Sequence, residues 1–168
     1  AMYDDLDIWF DYDPVTGQYE ISNYNILNTI IDGSQPQDTL FQSSVLVRST
    51  DNDCISPTIM GFTIQGGMGT FVIEEIENPV SGEMQEVGRM IGGGIYSYLT
   101  NADIHHNQFS NNGDQSVQNG GAAYTQTSAE DWGFDNTVLT SNRCDIDEFD
   151  FSNNVYSNND AFFGNTFA

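Results

Sequence analysis

Lysine is missing altogether from this 168-residue chain, and its only fixed cations are Arg48, Arg89 and Arg143, against 25 aspartates and glutamates. The formal charge of −22 argues against nucleic acid as a partner, because neutralising phosphates takes a row of Lys and Arg. Long hydrophobic runs are also missing. No stretch approaches the ~18 apolar residues of a membrane span, and no basic segment followed by an apolar one opens the chain, so membrane insertion is not expected. Apolar residues never recur for long at i, i+3, i+4 and i+7, which argues against extended helices. Cysteine is limited to Cys54 and Cys144. In the repeat derived below they fall at least two levels apart, near 10 Å at about 4.8 Å per level, whereas a bridge spans about 7 Å, so an intrachain disulfide is not expected.

What the chain does hold is a series of short runs rich in Ile, Val, Phe and Tyr, each bounded by Gly, Asn, Asp or Ser. That pattern predicts an all-β fold, and the length suits one domain with a core of its own. Strands are expected at 26–31, 44–48, 58–65, 94–99, 102–110 and 121–126, among others. In DYDPVTGQYE, Pro14 suits the second position of a tight turn and Gly17 supplies a positive φ, so a hairpin is expected there. The stretch MGTFVIEEIENPVSGEMQEVGRM, carrying Glu74, Glu75, Glu77, Glu83 and Glu86, is expected to be a long loop over 68–91 and a contact surface.

One phrase is written twice: apolar, two residues, Asn, one residue, apolar, one residue, Asn-Asn. Its copies are Ile104, Asn107, Phe109, Asn111, Asn112 and Phe151, Asn154, Tyr156, Asn158, Asn159. Adding Asn136 ahead of Val138 gives separations of 29 and 18 residues, a mean of about 23, which suits one turn of a three-stranded repeat. Asn107 and Asn154 are then expected to be buried at corners, with their amides bonded to backbone or to each other. Ile59, Phe62, Ile64, Ile95, Ile104, Phe109, Val138, Phe151 and Tyr156 are expected to point inward.

IIDGSQ at Ile30, SSVLVRS at Ser43, PTIMGFTIQGGMGT at Pro57, GGGIYS at Gly92 and IHHNQFSNNG at Ile104, in that order, resemble the right-handed parallel β-helix repeat family of secreted bacterial proteins, the pectate-lyase-like superfamily. The resemblance implies a right-handed parallel β-helix of about five coils over 26–168. Residues 1–25 lie outside it and read as an N-terminal hairpin, a cap or a strand-donating segment. It also implies an extracellular or cell-surface location, and a function drawn from polysaccharide lyases, surface adhesins and structural stalks, since one fold serves all three.

The lyases of that family hold Ca²⁺ on carboxylates and use Arg or Lys as the base, but this chain has no Lys and no Arg set among clustered Asp. The hydrolases need several Asp in short fixed motifs, and none is found. In a regular strand His105 and His106 would point to opposite faces, so they are not expected to share a metal. Asp145, Asp147, Glu148 and Asp150 read either as a solvated acidic face or as a Ca²⁺ site, calcium being the one cofactor the sequence suggests. Ice binding would need Thr-x-Thr on successive levels, and Thr125 with Thr127 supplies one such pair. Trp9 and Phe10 at one end and Phe162, Phe163 and Phe167 at the other are candidate interface residues. The expected function is a non-catalytic structural or adhesive module that stacks head-to-tail on copies of itself or on other surface proteins. A polysaccharide is a further candidate partner, and the alternative is a secreted polysaccharide lyase or glycoside hydrolase.

Overall fold

The computed structural model describes residues 10–21, 24–48, 55–98, 100–114, 116–126 and 151–161. The fold is all-β, with one short helix among the described residues. It opens with β1 (Phe10–Asp13), β2 (Gln18–Ile21), helix α1 (Tyr24–Asn28), β3 (Ile30–Asp32), β4 (Phe41–Gln42) and β5 (Val45–Arg48). The middle holds β6 (Thr58–Met60), β7 (Thr63–Gln65), β8 (Gly69–Glu77), β9 (Met84–Ile91) and β10 (Ile95–Tyr98). Then come β11 (Asp103–His105), β12 (Gln108–Ser110), β13 (Val117–Asn119), β14 (Ala123–Gln126) and β15 (Val155–Ser157).

Three parallel sheets carry the core: β3–β7–β12–β15, β6–β11 and β5–β10–β14. Their registers place like on like. Ile31, Ile64, Phe109 and Tyr156 form one column, Ile59 and Ile104 a second, and Val45, Ile95 and Ala123 a third. Ile64, Ile95, Ile104 and Phe109 are fully buried, and Ile59, Phe62, Phe151 and Tyr156 pack against them, as expected. Val138 lies outside the described residues. The Phe109 and Tyr156 rings stack at 5.5 Å with 13° between their planes, and Phe151 joins them. Each large side chain so buried contributes about 1.5–3 kcal/mol.

The doubled phrase makes two corners. Gly61, His106 and Asn153 hold one, and Gly66, Asn111 and Asn158 the other, all with positive φ between 51° and 82°. Asn and His are among the few side-chain-bearing residues that tolerate this conformation. The strands expected over 58–65 and 102–110 are therefore each broken in two, because a left-handed residue turns the chain where the apolar pattern runs on. The second residue of each corner puts its carboxamide between levels. The Asn107 Oδ1 accepts from Phe62 N at 3.1 Å, and its Nδ2 donates to Ile59 O at 2.8 Å, to His105 O and to Asn154 Oδ1. Asn154 repeats this one level on, accepting from Asn107 N and donating to Ile104 O. Asn112 and Asn159 build a parallel ladder from Gly67 N to Phe109 O. Asn107 and Asn112 are both fully buried.

These bonds correct the repeat. Asn154 is the immediate neighbour of Asn107, 47 residues on, and Phe62 precedes Asn107 by 45, so the spacing of about 23 does not hold. Among the described residues the longest stack has four strands. Levels differ in length, 28 residues from Ile95 to Ala123, 33 from Ile31 to Ile64 and 45 from Ile64 to Phe109, the last because the β8–β9 ribbon is inserted within it.

Two further expectations change. The stretch 68–91 is an antiparallel ribbon of β8 and β9, in register from Thr70↔Ile91 to Glu77↔Met84, not a loop. Its alternation of apolar and polar residues has the period of a strand. The Asn78 Oδ1 closes its turn by accepting from Val80 N and Ser81 N, with Gly82 at φ 70°. The strand expected over 26–31 is helix α1 followed by β3. Ile26 is fully buried, and α1 packs against β7. The Thr63 hydroxyl, which donates to Ile26 O at 2.8 Å, ties the helix to β7. At the N-terminus β1 and β2 form the expected antiparallel hairpin around Pro14–Gly17, and β2 comes within 8 Å of β15. No helix among the described residues is long and apolar enough to cross a membrane.

Candidate functional site

The outer face of the β5–β10–β14 sheet stacks Leu46, Tyr96 and Tyr124 in one column. The sequence shows this only in retrospect: GGGIYSYL and GGAAYTQT each place a tyrosine four residues after a glycine of positive φ, Gly92 and Gly120. The Tyr96 ring lies 6.2 Å from that of Tyr124 and 6.3 Å from that of Tyr98. Val72 of β8 and Ile91 of β9 close over them, so Tyr96 and Tyr124 are nearly buried although they point away from the main core. Burial pushes the Tyr96 phenol above its ordinary range. The neighbouring Tyr98, Tyr124 and Glu74 add to the shift, and Arg48 opposes it. The ring is thus held as a neutral phenol, a hydrogen-bonding group and an apolar wall rather than a base.

Glu74 of β8 faces the same space with a side chain only 10% exposed. Arg89 of β9 brings its Nε to 3.3 Å from Glu74 Oε2, without the alignment of a hydrogen bond, so neither carboxylate oxygen accepts one among the described residues. Burial raises the Glu74 pKa and the arginine partly offsets it. Arg48 and Arg89, two of the chain's three arginines, therefore both act on this one face. Sequence reasoning assigned Glu74 to an acidic loop and missed the pairing, since Val72 and Arg89 become neighbours only once the ribbon closes.

A carboxyl whose pKa is higher folded than unfolded favours the folded state most at acid pH. Its contribution fades as pH rises past the ordinary glutamate value of about 4.3 and through the raised one. Glu74→Gln should therefore gain on wild type as pH climbs, read as a widening gap between their urea midpoints. A gap that stays constant with pH would mean that Glu74 is not strained by burial.

The histidine pair departs from the expected opposite faces. Because His106 turns the corner, the two rings meet edge-on with centroids 4.8 Å apart, and the Nδ1 atoms are 2.6 Å from each other. One Nδ1 must carry the proton and the other accept it, so neither Nδ1 is left to bind a metal. His105 Nε2 stands 3.7 Å from Asp103 Oδ2, and Asp103 Oδ1 is buried without a hydrogen-bond partner among the described residues. No group of three or more His, Cys, Asp or Glu among those residues is arranged to hold a metal.

Asp145, Asp147, Glu148 and Asp150, the residues suggested for calcium, lie outside the described residues, as do Trp9, Phe162, Phe163, Phe167, Cys54, Cys144 and Thr127. Phe10 begins β1, paired with Ile21. What the fold defines is an all-β protein of stacked parallel strands, with the antiparallel β8–β9 ribbon lying beside a tyrosine face. No family model, curated protein or solved structure matches the chain.

Proposed function

We propose that this chain is a non-catalytic, extracellular structural or adhesive module, a right-handed parallel β-solenoid that stacks head-to-tail on further copies. The observation that carries this reading is the destination of the corner carboxamides, of which Asn107 and Asn112 are fully buried and Asn154 and Asn159, against expectation for Asn154, half-buried. Asn107, Asn112, Asn154 and Asn159 all bond from one level to the next, in a single direction. Each ladder is therefore polar. The β7 level, through Phe62 N and Gly67 N, and the β12 level, through Asn107 N and Asn112 N, each donate to carboxamides on the level after, and a further level of such carboxamides on a second chain would continue the pattern at Asn154 and Asn159. Elongation of this kind propagates rather than closes. The charge supports an extracellular setting, where salt and divalent ions relieve the mutual repulsion of chains at −22 each.

Sedimentation velocity across a concentration series at physiological and high salt, with electron microscopy of the same samples, tests the reading. Growth along one axis is expected, stronger where salt screens the charge. A chain that stays monomeric at every concentration would overturn head-to-tail stacking, and release of reducing or unsaturated ends from a polysaccharide would overturn the non-catalytic assignment.

A further inference from the structure

The β8–β9 ribbon has an edge and a face that the stacking reading does not use. On one side β8 pairs with β9 along its length, whereas on the other it meets only β4, opposite Gly69 and Thr70. Phe71 N donates outward to Leu40 O at 2.7 Å. Antiparallel ladders alternate, so the N–H and C=O groups of Ile73, Glu75 and Glu77 point to that same outer side, while Val72, Glu74 and Ile76 serve β9. Nothing among the described residues pairs with the outer edge beyond Phe71.

The side chains on the face away from the tyrosines are apolar near the body and acidic towards the turn. The Phe71 ring lies over Gly88, where an alanine Cβ would fall 2.5 Å from it. Ile73 is 64% exposed and Leu40 49%, with Phe71 beside them. Further out Glu75 stands directly opposite Glu86, and Glu77 follows, with no ion pair to any of the three among the described residues. Like charges directly opposite each other destabilise a ribbon, and a cationic neighbour would relieve that cost.

We propose that this ribbon docks an extended, cationic segment of a partner protein, added as a third strand on the free edge of β8. Its main-chain groups would satisfy Ile73, Glu75 and Glu77. Apolar side chains at alternate positions would cover Phe71 and Ile73, and Lys or Arg at the next alternate positions would meet Glu75 and Glu77. Charge complementarity selects this occupant over a second copy, because this chain has no lysine and its own ribbon would bring glutamates against glutamates.

The probe is a synthetic eight-residue peptide with two Lys and then two Val at alternate positions and Thr between them. One control N-methylates the Lys and Val amides, which keeps the charge and removes the donors that would face β8, and a second replaces Lys by Glu. The first peptide is expected to slow hydrogen exchange at the amides of Ile73, Glu75 and Glu77, and to bind about tenfold or more tightly than either control. Glu75→Pro removes an edge donor without touching the ladder to β9, and it should abolish that preference. Should it disturb folding, Glu77→Lys should weaken the same peptide in the same direction. Equal binding of the N-methylated control, or protection at other amides, would reduce the effect to charge attraction and overturn the proposal.

Discussion

Gly93→Ala is expected to destabilise the fold by about 3 kcal/mol or more, at the upper end of what overpacking costs, and to yield little soluble protein. Gly93 crosses between levels with no room beside it. An added Cβ would lie 2.2 Å from Gly121 O and 2.7 Å from Gly113 N, both backbone atoms that no rotamer change can move aside. The same residue donates to Gly120 O and accepts from Ser44 N, so any shift breaks the bonds that hold three levels together. Gly67→Ala should behave alike, its Cβ falling 2.0 Å from Gly93 O. Neither glycine has a positive φ, so the demand here is for space and not for backbone freedom. Gly82→Ala at the ribbon turn gives the contrast: its nearest neighbour is 3.7 Å away, and only its φ of 70° resists, at about 1–2 kcal/mol. Urea unfolding of the three variants measures the difference. If Gly93→Ala costs no more than Gly82→Ala, the close crossing is not a feature of the folded state.

Asn107→Leu is expected to lower stability by a comparable amount. Leucine is close to asparagine in size, but it offers nothing to Phe62 N, Ile59 O and His105 O, each of which now bonds to the carboxamide. A buried backbone group left without a partner costs about 1–3 kcal/mol, so stranding even two of them gives about 2–6 kcal/mol. Asn107→Asp separates the two halves of the amide. It can still accept from Phe62 N, yet it sets a carboxylate against Ile59 O and Asn154 Oδ1, so it should be tolerated better in acid, where it is protonated, than at neutral pH. A surface-like response to both substitutions, with midpoints close to wild type, would contradict the ladder.

The corner phrase was legible in the residues themselves. A carboxamide recurring two positions before an apolar residue has few structural uses, and burial between stacked strands is the one that satisfies both ends of the amide. What the phrase concealed was its neighbour. Asn136 resembles Asn107 and Asn154 along the chain, yet it is Asn154 that bonds to Asn107. His106 likewise carries no mark of a turn. It takes the left-handed corner because Gly61 and Asn153 hold that position on the levels to either side.

The sequence alone determined that the protein is all-β, that its N-terminal segment turns back as a hairpin, and which apolar residues face inward. These follow from short-range rules, namely the missing helical period, the Gly and Asn punctuation and the alternation within each strand. Only the tertiary structure decided the length of a level, the meeting of His105 with His106, the burial of Glu74 against Arg89 beside Tyr96, and the glycine crossing at Gly67 and Gly93. The physical reason is that neighbours in a stack are set by hydrogen-bond registers between residues 28 to 50 apart, as in Ile95–Ala123 and Ile104–Asn154. A ribbon such as β8–β9 can be inserted within a level without altering the spacing between levels, so distance along the chain does not say which strands touch.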